Sequence, residues 1–176
     1  MAYTEFQHQH NFSVWAGARA AQRGFTNVEL LRDALEQCGV TEFSKNLNLI
    51  TCVVDFDRKH REWCNSICDY LNEKGVQNVT YGRAAKLIAV YLKSIIVLPN
   101  IHTPQAGFIH PPIDRILLQN LSQLSAVSQE DSKLLKNTNW TELDESNYYN
   151  VLRIICSITV AEPNWKIEEF WTITNN

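Results

Sequence analysis

The stretch TYGRAAKLIAVYLKSIIVLP, Thr80–Pro99, decides the fold class. Thr80 is a capping residue, and behind it Ala, Leu, Ile, Val and Tyr run without another glycine until proline stops them, which predicts one long helix. At 100° per residue its cations Arg83, Lys86 and Lys93 fall within about 80° of one another, so every other face is apolar and the helix is nearly buried. After a connector comes FIHPPIDRILLQNL, Phe108–Leu121, a second helix that opens with two prolines and an aspartate. The question raised is what a buried helix does with three cations on one side, and what Asp114 does at the head of the next.

Reading outward, the rest of the chain is also a series of helices. Phe12 to Arg23 is alanine-rich and stops at Gly24, where glycine tolerates the left-handed conformation. Thr26-Asn-Val-Glu29 reads as a capping box for a helix carrying Leu30, Leu31, Ala34 and Leu35 up to Gly39. Asp55 or Asp57 is expected to cap a helix running through Trp63, Ile67 and Leu71 to Gly75. Pro111-Pro112 are expected to start the helix that contains Asp114, Ser128 and Thr141 to cap two more, and Pro163 to open a last one with Ile167, Phe170 and Trp171. LNLITCVV, Leu47–Val54, has strand-like β-branching but nothing to pair with, so it is read as helix or extended connector. Pro99–His110 is the clearest irregular piece and a candidate functional loop. The expected fold class is all-α, a compact multi-helix bundle.

Bulk properties narrow the functional classes. The 176 residues suffice for one domain with a real core, and 45% hydrophobic with 20% charged residues describe an ordinary globular chain. The apolar run from Ala84 to Leu98 is too short and too charged to span a bilayer, and MAYTEFQHQHNF has no signal pattern, so a cytoplasmic location without membrane partners is expected. Five cysteines, at 38, 52, 64, 68 and 156, form no C-x-x-C pair and read as reduced thiols. A net charge of −3 gives no general attraction to nucleic acid, so any such contact must come from a local basic patch.

Two readings of Lys86 stand side by side. It is a member of a narrow wet stripe, or it is an amine whose charged form is disfavoured by apolar walls and a neighbouring cation, and so a usable nucleophile. Asp114 likewise is either a helix-capping carboxylate or an ionised acid that stabilises developing positive charge and accepts a proton. His60, Cys64 and Cys68 share one helical face at spacings of four, but they lack close ligand pairs and a fourth member; no metal and no other cofactor is expected. Of the tryptophans at 15, 63, 140, 165 and 171, which are first of all packing residues, Trp171 is the candidate for stacking on a base.

At Lys86 and Asp114 the sequence resembles the helix-hairpin-helix DNA glycosylases, nearest to the compact archaeal and thermophilic 8-oxoguanine DNA glycosylase/lyases. Lys86-Leu-Ile-Ala-Val-Tyr-Leu-Lys93 is similar to the family's lysine helix, Gly82 lies four residues before the lysine where such hairpins carry a glycine, and Asp114-Arg115-Ile-Leu-Leu is similar to the aspartate segment. Ala84 stands in place of a second hairpin glycine, and the spacing from Lys86 to Asp114 is enlarged by the Pro99–His110 loop. No four-cysteine cluster closes the chain, which excludes the iron–sulfur branch. The resemblance implies one helical domain, 1–176, with two lobes around a cleft: the termini, 1–25 and 140–176, together, and 26–139 as the centre. It implies a base-excision glycosylase with AP lyase activity on a damaged, oxidised base. Lys86 attacks the sugar of a nucleotide flipped out of double-stranded DNA, and Asp114 stabilises the positive sugar. Gly82, Arg83 and Arg115 touch phosphate, and Lys93 adds field. The alternative from the residues alone is a non-catalytic helical module that binds DNA or another protein.

Overall fold

In the computed structural model, which describes residues 2–22 and 24–172, α5 (Tyr81–Leu92) is the central helix, packed by the N-terminal helices, the helix before it and the segments after residue 140. Thr80 caps it as expected, its hydroxyl accepting from the Arg83 amide at 3.3 Å. Ten of its twelve residues are buried, Lys86 among them. The long helix foreseen to Pro99 changes pitch, because Lys93–Val97 form a π turn in which the Leu98 amide donates to the Lys93 carbonyl at 2.9 Å. The Ser94 hydroxyl bonds back to the Val90 carbonyl at 3.0 Å, a competition with the ladder that loosens a helix.

The described residues contain helices and no strand. The α-helices are α1 Glu5–Gln22, α2 Val28–Gln37, α3 Val40–Lys45, α4 Val53–Glu73, α6 Pro104–Phe108, α7 Arg115–Leu121, α8 Gln129–Asn137 and α9 Glu145–Ile158. Short 3-10 turns lie at Leu47–Leu49, Trp140–Glu142 and Asn164–Phe170. No described helix is long and apolar enough to cross a membrane. One contiguous apolar core joins all the long helices.

α1 begins at Glu5, seven residues before the expected start, and the expected end at Arg23 lies outside the described residues. It packs along α5 and α2. The α1–α5 approach depends on Gly17, where a Cβ would lie 2.9 Å from the Leu87 carbonyl oxygen. On α4, Phe56, His60, Trp63, Cys64, Ile67 and Leu71 form one buried stripe at helical spacing, which explains why His60 and Cys64 share a face.

Several caps differ from the sequence reading. Asn27, not Thr26, caps α2 by accepting from Leu30 N at 2.9 Å; Glu29 is then one place too early for a capping box. α4 starts at Val53 behind Cys52, which puts Asp55 in the first turn, beside Arg58, and Asp57 inside the helix. Pro111-Pro112 run extended and Asp114 itself caps α7, because a proline disfavours helical backbone in the residue before it. Asn139 and Asp144, not Thr141, cap the elements near residue 140. Ser128 caps α8 as expected, Pro163 precedes a 3-10 turn rather than an α-helix, and residues 99–110 contain the short α6. Leu47–Leu49 form a 3-10 turn that leads through a short connector, with Ile50 and Cys52 extended, into α4.

Candidate active site

The Lys86 ammonium lies 3.1 Å from Asp114 Oδ2, and the two side chains are 7% and 11% exposed. Each arrives by a different route. Lys86 projects from the second turn of α5, whose register is fixed by the Thr80 cap and by a clamp of residues 139–143 on its first turn. In that clamp the Thr80 hydroxyl donates to the Thr141 carbonyl at 2.8 Å and the Gly82 amide to the Leu143 carbonyl at 2.9 Å. The Trp140 ring lies 5.8 Å from the Lys86 nitrogen, within cation–π range.

Asp114 is held by its capping role. Oδ1 accepts from the Leu117 amide at 3.0 Å, while Oδ2 accepts from Lys86 and, at 2.9 Å, from the Trp171 indole N–H. Burial works to raise this carboxyl, but the Lys86 charge, the Leu117 amide and the indole outweigh it and hold it below the ordinary carboxylate range. The approach to Asp114 is fixed from behind by His110, four residues earlier. Its Nε2 donates to Asp57 Oδ1 at 2.8 Å, and the Tyr148 hydroxyl meets Nδ1 at 3.2 Å. His110 lies beside His60 with ring centroids 4.4 Å apart and the rings tilted by 55°, and His60 Nδ1 lies 3.2 Å from the hydroxyls of both Tyr81 and Tyr149. Tyr81 opens α5, so one buried network spans the roots of both segments that carry the pair.

Lys86, Asp114 and Trp171 line a cavity of about 510 Å³ together with Arg19, Val90, Lys93, Ser94, Pro112 and Glu168. Pockets of roughly 300–1,000 Å³ are the size that takes small organic groups. Three cations face two carboxylates here, and Lys93 is paired with Glu168 across the rim. The last described segment is fastened over α7 by Asn120, whose amide donates to the Phe170 and Thr172 carbonyls at 2.8 and 3.0 Å. That fastening sets the indole against Asp114.

Of the residues singled out in the sequence, Lys86, Lys93, Asp114 and Trp171 therefore share one cavity. Gly82, Arg83 and Arg115 do not line it. Gly82 is buried beneath the Trp140 turn with its amide donating to the Leu143 carbonyl, and a Cβ there would lie 2.0 Å from the Trp140 carbonyl oxygen. The half-buried Arg83 has its guanidinium 4.3 Å over the Phe25 ring and donates to the Ala21 carbonyl at 3.5 Å. Arg115 is exposed on a neighbouring groove.

Sequence reasoning missed Arg19 and Glu168 in this cavity. Arg19 ends an alanine-rich helix and Glu168 sits in a C-terminal 3-10 turn, and neither position carries a local signal for a site far away in sequence. His60, Cys64 and Cys68 are not gathered as metal ligands; among the described residues no cluster of His, Cys, Asp and Glu has that arrangement. Comparison with known proteins finds no family model that matches the chain, and no curated protein or solved structure that matches it.

Proposed function

We propose that the chain is a DNA base-excision glycosylase with AP lyase activity, of the helix-hairpin-helix kind that its lysine and aspartate segments resemble. The observation that carries this reading is an amine and a carboxylate 3.1 Å apart on the wall of a cavity of about 510 Å³ with an indole on the same carboxylate. A nucleotide extruded from duplex DNA enters the cavity, since neither its sugar carbon nor its base can be reached within the stack. Lys86, an ammonium in the resting pair, first gives up a proton by way of Asp114; its neutral amine then attacks the sugar carbon, and the carbon–nitrogen bond to the base breaks with its electron pair leaving on the base. Asp114, fixed as an anion, is the counter-charge to the positive sugar, and the proton shed by the amine passes by way of it to the departing base. Ring opening gives the Schiff base, and loss of a proton from the adjacent carbon expels the 3′ phosphate.

The test is borohydride trapping on an abasic duplex. Wild type and Lys93→Ala form a covalent adduct, and Lys86→Ala forms none. An undiminished adduct in Lys86→Ala overturns the assignment.

A second reading is favoured by one observation: both oxygens of Asp114 are already engaged, by the Leu117 amide on one side and by Lys86 and Trp171 on the other. On this reading the pair is a lock between α5, α7 and the C-terminal segment of a non-catalytic binding module. It predicts lost stability in Asp114→Asn and no adduct in any variant, wild type included.

A further inference from the structure

We infer that the groove between α7 and the turn that follows α8 binds the phosphodiester backbone of a nucleic acid beside the extruded nucleotide. The inference rests on the reading proposed above and extends it to a second, separate surface. This groove, about 400 Å³, is lined by Arg115 and Gln119 from one side and by Lys136, Asn137, Asn139 and Thr141 from the other. Its charged lining residues are two cations, with no carboxylate, in a chain whose net charge is −3. Guanidinium, ammonium, carboxamide and hydroxyl groups are what phosphate oxygens take as partners, and such contacts position a duplex without reading its sequence.

Two features tie the groove to the candidate active site. Trp140 forms part of its wall and also lies 5.8 Å from the Lys86 nitrogen, and Arg115 directly follows the capping Asp114. The groove and the cavity are thus neighbours across Trp140 and the Asp114–Arg115 step, so a backbone held in the groove lies next to the cavity into which one of its nucleotides turns. The wall is also preorganised. Thr141 and Leu143 are bonded to the first turn of α5, and Asn139 Oδ1 accepts from the Thr141 hydroxyl at 2.8 Å, so little ordering is needed on binding. A small phosphorylated ligand would use the same chemistry; the continuation of the lining into exposed Arg115 and Lys136 favours a polymer.

The experiment is binding of an undamaged labelled duplex to the full chain between about 50 and 200 mM salt, where each phosphate contact contributes roughly 0.9 to the slope of log K against log salt. Arg115→Ala and Lys136→Ala should each flatten the slope by about that amount, Lys136→Arg should restore it, and Lys59→Ala, on neither cavity, should leave it unchanged. Circular dichroism confirms that each variant is folded. An unchanged slope in Lys136→Ala, or no salt-dependent binding by wild type, overturns the inference. Saturable binding of inorganic phosphate at Asn137 and Asn139, read by amide NMR shifts, with no duplex binding also overturns it and gives the groove to a small ligand. Trapping separates this outcome from the fate of the enzyme reading. An adduct at Lys86 with a slope indifferent to Lys136 sinks only the groove, and a Lys136-dependent slope without any adduct sinks only the chemistry.

Discussion

At Gly82 a methyl group would meet the Trp140 carbonyl oxygen at 2.0 Å, and that contact is backbone, unable to swing aside. Gly82→Ala should therefore cost at least about 3 kcal/mol in urea denaturation, at the upper end of what overpacking exacts, because residues 139–143 must lift off α5. The sequence offered this glycine for a different reason, its distance before Lys86, and could not show that its missing side chain is filled by a turn some sixty residues away. Lys86 and Asp114 were legible as chemistry: a cation in an apolar helix and an acid at a helix start. Their meeting was not, and neither was the indole on the same carboxylate, since these contacts join positions 28 and 57 apart. Asp114→Asn keeps an oxygen for the cap but removes the carboxylate charge 3.1 Å from the buried Lys86. The expected loss is about 3 kcal/mol, read from the same denaturation, with the adduct lost as well.

Among the elements, α5 was the most legible, because a capping threonine and an unbroken apolar run permit little else. The π turn that ends it was hidden, since no residue type marks a change of pitch in advance. Helix starts were the weakest reading. Where two competent caps adjoin, as at Thr26 and Asn27, backbone direction chooses between them, and that direction is set by packing. Caps that also carry a tertiary bond should matter more than caps that do not. Thr80 donates to the Thr141 carbonyl besides capping α5, whereas Ser128 bonds only within its own first turn. Thr80→Ala should cost about 2 kcal/mol and Ser128→Ala about 1 kcal/mol, with thermal or urea unfolding as the measure. An equal cost for both would contradict the clamp.

For the whole molecule, the all-α class followed from periodicity and punctuation, but the polar centre of the core did not. His60 and His110 are completely enclosed, with Tyr81, Tyr148, Tyr149, Cys64 and Asp57 around them and Arg61 over the Tyr149 ring. Burial lowers His60 well below its ordinary value, and the repulsion it would meet from a protonated His110 and from Arg61 works the same way. Burial also lowers His110, although Asp57 pulls it upward. Both are therefore neutral in the folded chain, while the unfolded chain takes up protons below about pH 6.5. Their contribution to stability is whole above that pH and is lost as pH falls below it, so the urea midpoint should hold from pH 8 to 7 and decline from about pH 6.5 towards 5. The depressed Asp114 carboxyl acts in the same direction but only in a more acidic range, below about pH 4. A midpoint flat down to pH 5 would mean that the histidine network does not have to stay uncharged.

The same network grips the approach to Asp114 through His110 and the first residue of α5 through Tyr81, so fold and candidate chemistry share one support. The most direct measurement of the central claim is to reduce the protein with borohydride on abasic DNA, digest with trypsin and find the modified lysine by mass spectrometry. Sugar remnant is expected on Lys86 within the missed-cleavage peptide AAKLIAVYLK, residues 84–93. A remnant on any other amine, or none at all, contradicts that claim.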